Sequence, residues 1–134
     1  MRLSILVAAL LQPATVLAQE ASPAAELEAA LARFVQVNTP ALPHRDEAVG
    51  ITTLALRAEG TVLTSELTIG EHHFMDGFNA GQYRIIQLHR ATCASNPFQK
   101  AVTDAGGTLV YRYTTEGFRR TFEVMIDRDS CGAP

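Results

Sequence analysis

The chain has 134 residues, a formal net charge of −3, 47% hydrophobic residues and two cysteines. That length suits one domain with a core of its own. The mildly acidic balance excludes a general electrostatic pull toward nucleic acid or anionic lipid, so any anion site has to come from a local patch.

The first residues, MRLSILVAALLQPATVLA, place Arg2 ahead of an apolar run from Leu3 to Leu11, with small residues near Ala18. This is the three-part pattern of a secretory signal peptide, and it predicts residues 1–18 as a leader cut between Ala18 and Gln19. The apolar run is too short for the roughly 20 residues that a spanning helix needs, and Pro13 interrupts it. No cysteine follows the small residues, so a lipid anchor is not expected. Residues 19–134 are then one exported domain, periplasmic or secreted, with no stable membrane anchor after cleavage. Loss of Arg2 leaves that domain slightly more acidic than the whole chain.

Ser22-Pro23 reads as a cap followed by a first-turn proline, with Glu26 and Glu28 early, where they favour the helix dipole. Leu27, Leu31, Phe34 and Val35 recur at helical spacing, which predicts an amphipathic helix over 23–37, stopped by Asn38-Thr39-Pro40. Residues 41–47, with Pro43, are expected to be a linker. Alternation from Gly50 sets Thr52, Leu54 and Leu56 on one face of a strand. After a turn at Ala58-Glu59-Gly60, Leu63, Ser65, Leu67 and Ile69 alternate in a second strand, giving an antiparallel hairpin. Residues 71–78 connect to a helix over 79–94. Asn96-Pro97 caps a shorter helix, closed by Gly106-Gly107. A second hairpin follows: Leu109, Tyr111 and Tyr113 share a face, Thr115-Glu116-Gly117 turns the chain, and Phe122, Val124 and Ile126 alternate on the way back. Asp127 to Cys131 is expected to complete that strand. The order α-β-β-α-α-β-β predicts an α+β domain, with an N-terminal helix and a central helical segment packed on one face of a four-stranded antiparallel sheet. Strand order is not legible.

Both cysteines lie in the exported domain. An even count in an oxidising compartment predicts one bridge, Cys93 to Cys131, pinning the last strand near the C-terminus. A redox or catalytic thiol is the alternative, but there is no C-x-x-C spacing and no local mark of an activated thiol. The structural bridge is preferred.

Asn38, Pro40, Cys93, Gly107, Tyr111, Tyr113, Gly117 and Cys131 together form a pattern over nearly all of the exported domain. In it the chain resembles a group of small exported bacterial proteins with two cysteines. The resemblance implies the architecture and no activity. It also leads one to expect aromatic residues in the first hairpin, where this chain has Leu63 and Ser65.

Three sets of residues are candidates for chemistry. Arg112, Arg119 and Arg120 surround the second hairpin turn, and Arg112 and Arg120 could share a face as a patch for a carboxylate, a phosphate or an acidic partner. Glu116 and Glu123 in the same hairpin could instead neutralise them, and charges on an edge hairpin also discourage aggregation. His72-His73, beside Glu71 and with His89 or His44 at a distance, is weak metal-ligand material suited to Zn²⁺ or Cu²⁺; a polar loop is the preferred reading, and no metal or cofactor is called for. His89, four residues before Cys93, could act as a base on a thiolate, although a partly buried, hydrogen-bonded histidine is the simpler assignment. There is no G-x-S-x-G, P-loop, paired-carboxylate or glycine-rich nucleotide motif. The sequence therefore points to a non-enzymatic accessory domain acting through contacts with an envelope protein. The alternatives are a small-ligand or metal-binding module and, more weakly, a hydrolase without a signature.

Overall fold

The structure is a computed structural model and describes residues 22–134. The expected signal peptide, its cleavage point and residues 19–21 lie outside the described residues.

Helix α1 (Pro23–Asn38) starts where the Ser22 hydroxyl accepts the Ala25 N–H at 3.0 Å, with Pro23 in the first turn. The cap replaces a hydrogen bond that the first turn of a helix otherwise lacks. Leu27 and Leu31 are buried on its inner stripe. At its end the Asn38 side-chain amide donates to the Phe34 carbonyl and the Thr39 hydroxyl to that of Val35.

Five strands follow: β1 (His44–Asp46), β2 (Ile51–Glu59), β3 (Val62–Ile69), β4 (Thr108–Thr115) and β5 (Thr121–Ile126), side by side in that order. The expected four-stranded sheet is thus corrected to five. The extra strand lies in the segment read as a linker, where His44 to Asp46 pair with Thr53 to Ile51 along the sheet edge. Three residues carry too little pattern for alternation to be seen, and Pro43 beside them looks like a breaker. The sheet is also mixed and not wholly antiparallel: β3 and β4 run parallel, from Val62 beside Thr108 to Ile69 beside Thr115. Each hairpin is antiparallel as expected, but the hairpins are joined by a helical crossover. That crossover, α2 (Phe78–Ser95) and α3 (Pro97–Asp104), returns the chain to the end where β3 began, and a parallel neighbour requires such a return.

Among the described residues, the α-helices α1, α2 and α3 cover one face of the sheet. Leu27, Leu31, Ile85, Cys93 and Val102 from the helices meet Leu63, Leu67, Ile69, Leu109, Tyr113, Phe122, Val124 and Ile126 from the strands. In β2 the expected face is displaced. An irregularity between Thr53 and Ala55 shifts the register, so Thr53 and Leu56 sit opposite Leu67 and Ser65, while Leu54 is exposed. A bulge inserts one unpaired residue and inverts the alternation beyond it. The other face is open and polar. Arg57, Glu66, Arg112 and Glu123 form a row of ion pairs across β2 to β5, at 3.6 Å, 3.6 Å and 2.8 Å.

Residues 127–131 are not strand, and the chain turns over 128–132. The Asp127 carboxylate accepts the N–H groups of Asp129 and Ser130, which curls the chain away from the sheet. The curl brings Cys131 to the last turn of α2, and Cys93 and Cys131 are disulfide-bonded with Cα atoms 5.3 Å apart. Among the described residues, no helix is long and apolar enough to cross a membrane.

Candidate functional site

The three arginines of the second hairpin do not form one patch. Arg112 lies opposite Glu123 on the open face, donates to it at 2.8 Å and also pairs with Glu66. Arg120 lies opposite Thr115, whose N–H donates to its carbonyl at 2.8 Å, while its own N–H donates to the Thr115 hydroxyl at 2.9 Å. Thr115 belongs to the helix-side face, so Arg120 points there and Arg112 points away. The expectation that they share a face fails on parity: residues directly opposite each other lie on the same face, and Arg112 faces Glu123, not Arg120.

The hairpin tip is nonetheless distinctive. The Arg120 guanidinium sits 3.8 Å from the centre of the Phe78 ring, a cation–π contact. Phe78 in turn stacks on Phe74 and meets Phe122 edge-on, which ties the arginine to the core. A hollow of about 260 Å³ lies among Phe74, Phe78, Phe118 and Arg120. Phe118 is 68% exposed, and Met75, next to Phe74 in sequence, is 83% exposed. Arg119 has φ of 56°, in the left-handed region that costs a residue with a side chain about 1–2 kcal/mol. Neither hairpin glutamate neutralises these two arginines. Glu123 is held by Arg112, and Glu116 accepts from Arg45 of β1 at 3.1 Å. Arg45 carries no signal of its own in the sequence, because only the unforeseen edge strand brings it beside Glu116.

His72 and His73 lie in a one-turn 3₁₀ helix (Glu71–Phe74), with ring centres 4.1 Å apart. The Nε2 of His73 is 2.6 Å from the Val49 carbonyl oxygen. A carbonyl can only accept, so this nitrogen carries a proton and is committed to donation. The His72 ring packs against Gly50 and Gly70, where an added Cβ would come within 2.9 Å of it. Among the described residues, no three His, Cys, Asp or Glu side chains are grouped as metal ligands.

His89 stacks on the Tyr111 ring at 3.8 Å between centres, and its Nε2 is 2.5 Å from the Tyr113 hydroxyl. Burial disfavours the charged imidazolium and pushes its pKa down to about 4. The same burial pushes the Tyr111 phenol up to about 12 and raises that of Tyr113. All three groups are neutral near pH 7. Cys93 is in the disulfide, so His89 has no thiolate to act on.

A cavity of about 430 Å³ lies between α1, the segment leading into β1, the sheet and α3. Phe34 and Phe98, stacked at 4.3 Å, form one wall, and Leu56, Leu63, Ser65 and Tyr111 form the floor. Among the described residues, the lining contains no Asp, Glu, Lys or Arg. Gln99 reaches the wall with a side-chain oxygen that is buried and has no hydrogen-bond partner among the described residues. No local motif announces this cavity; its one signal in the sequence is the small Ser65, in a hairpin where aromatic residues are expected.

No protein-family model matches the chain, and no curated protein matches it in sequence. Solved structures do match its fold. A candidate secreted protein of Pseudomonas aeruginosa has a TM-score of 0.66 at 17% identity, covering 81% of this chain and 96% of its own. The type II secretion pilotin EpsS of Vibrio vulnificus has a TM-score of 0.68 at 9% identity, covering 84% and 97%. The pilotin AspS of Vibrio cholerae has a TM-score of 0.66 at 13% identity, covering 83% and 97%. At these identities the likeness shows a shared fold.

Proposed function

We propose that this chain is an exported, non-enzymatic accessory domain that acts by contacting another protein of the cell envelope. The observation that carries the reading is the hairpin tip. An exposed phenylalanine and two arginines without carboxylate partners among the described residues stand on a rigid aromatic base, on an otherwise acidic chain. Aromatic residues and arginine dominate the energetic centres of protein interfaces, and a side chain already held in place loses less freedom on binding. The left-handed backbone at Arg119 is consistent with such a site, since strain of this kind gathers where a surface is shaped for use.

Two of the structures that share the fold are pilotins of type II secretion systems, and that likeness supports a role in an envelope assembly by fold-level analogy. On this reading residues 1–18 are the leader, residues 19–134 the working domain, and the compartment is the periplasm or the exterior. Arg119 and Arg120 carry the contact. Arg112 is neutralised in the ion-pair row and contributes to the open face.

The test is charge reversal at the tip. Arg119→Glu with Arg120→Glu abolishes co-purification of the envelope partner from cells that express the chain with its own leader. The melting temperature falls by only a few degrees, because the exposed cation–π contact of Arg120 is worth about 0.5–1 kcal/mol. Retention of the partner by a folded double variant removes the tip from the contact.

A further inference from the structure

We propose that the cavity beneath α1 is a binding site for a small, uncharged, largely apolar molecule that carries a hydrogen-bond donor. This goes beyond the protein contact at the hairpin tip and uses residues that contact does not touch.

The cavity exists because of Ser65. It lies near the middle of β3, the central strand of the sheet, and points to the helix side between Leu63 and Leu67. An aromatic or large aliphatic side chain there would fill the floor. Serine leaves it hollow and puts a hydroxyl opposite Tyr111, its register partner in β4. The hollow of about 430 Å³ lies over the sheet and is partly open to solvent, which leaves a path of entry for a ligand. Its size falls within the range of about 300–1,000 Å³ common for small-molecule pockets, as does its makeup of apolar walls with a few polar groups.

The lining also defines the occupant. With no carboxylate, ammonium or guanidinium in the wall among the described residues, a charged ligand would lose its hydration without gaining a close counter-charge there. His44 also lines the opening, where it is exposed to solvent on the edge strand. The stacked Phe34 and Phe98 rings and the Leu56 and Leu63 side chains suit an aromatic or aliphatic body. The buried Gln99 oxygen lacks a donor, and the terminal torsion of a glutamine is soft enough to turn that oxygen toward a ligand N–H or O–H. A ligand donor at Gln99, with Ser65 below, completes the polar complement of the site.

N-phenyl-1-naphthylamine is a suitable probe, being neutral, with a naphthyl and a phenyl group joined by a single N–H, and its fluorescence rises in apolar surroundings. Titrated into the oxidised protein, it binds saturably at one site. Ser65→Phe weakens that binding at least tenfold, while the Arg119→Glu, Arg120→Glu double variant binds the probe as the wild type does. The sulfonated relative 1-anilinonaphthalene-8-sulfonate binds at least tenfold more weakly than the neutral probe. Should Ser65→Phe lose its near-ultraviolet circular dichroism, Ser65→Leu fills less of the floor and is read in its place. Non-saturable binding, equal binding by folded Ser65 variants, or a preference for the sulfonate overturns the proposal. So does a silent probe together with loss of the envelope partner in Ser65→Phe, which gives the cavity to a partner's side chains.

Discussion

Removing the Cys93–Cys131 bond should lower stability mainly by freeing the unfolded chain. The bond spans 38 residues, for which the loop-closure relation gives about 4 kcal/mol at 25 °C. In the folded state the ends stay close without it. The Cys131 N–H donates to the Asp127 carbonyl, and the Gly132 N–H donates to the Arg90 carbonyl at 2.7 Å. Cys93 is fully buried and keeps its packing as a thiol. The loss therefore falls on the denatured ensemble, which gains room when the loop opens. For a domain of this size, about 4 kcal/mol corresponds to a fall in melting temperature of roughly 15 °C. It is also a large share of the 5–15 kcal/mol, roughly, that holds a small domain folded. The assay is urea and thermal unfolding of the protein with and without a phosphine reductant, followed by circular dichroism. The reduced form should melt well below the oxidised form and show a steeper urea dependence, because a freed chain exposes more surface on unfolding. A fall of less than about 3 °C with an unchanged slope would refute the reasoning, since the entropic term would then be absent.

His89 and Gly81 give two further tests. With its folded pKa down to about 4, against the ordinary value of 6.5, His89 stays neutral in the folded state while the unfolded chain takes up a proton. Its contribution is therefore complete above pH 6.5 and is lost as pH falls from there toward 4, by about 3 kcal/mol in total. A proton NMR titration should place the His89 midpoint near 4, and His89→Phe should flatten stability over this window; a midpoint near 6.5 contradicts the burial argument. Gly81→Ala usually favours a helix, but here the new Cβ would lie 2.5 Å from the His73 carbonyl oxygen and closer still to the Phe74 ring. A fixed backbone oxygen cannot yield, so chemical denaturation should show a loss of about 1–3 kcal/mol, and a gain would contradict the packing.

Periodicity makes the helices and the core legible. Leu27 and Leu31, Leu63 and Leu67, and the row from Phe122 to Ile126 all face inward as their spacing implies. It fails where a feature depends on chain path. The three residues of β1 have no period to detect. The irregularity at Thr53–Ala55 moves Leu54 out of the core without any glycine or proline to announce it. The parallel pairing of β3 and β4 follows from where the crossover lands, which is a packing outcome. At the candidate sites, the disulfide is readable because two cysteines allow one pairing. The division of the arginines is not, since it turns on the register between Thr115 and Arg120. The cavity is a shape made by residues as far apart in sequence as Phe34 and Tyr111, and only the folded chain assembles it.

The most direct test of the central claim is photocrosslinking in intact cells, with a photoreactive phenylalanine analogue placed at Phe118 or, as a control, at Thr52 on the open sheet face. A contact carried by the tip gives a discrete protein adduct from position 118 that disappears when Arg119 and Arg120 are both changed to Glu, and no such adduct from position 52. Equal adducts from both positions, or an adduct from 118 that survives the charge reversal in a folded protein, contradict it.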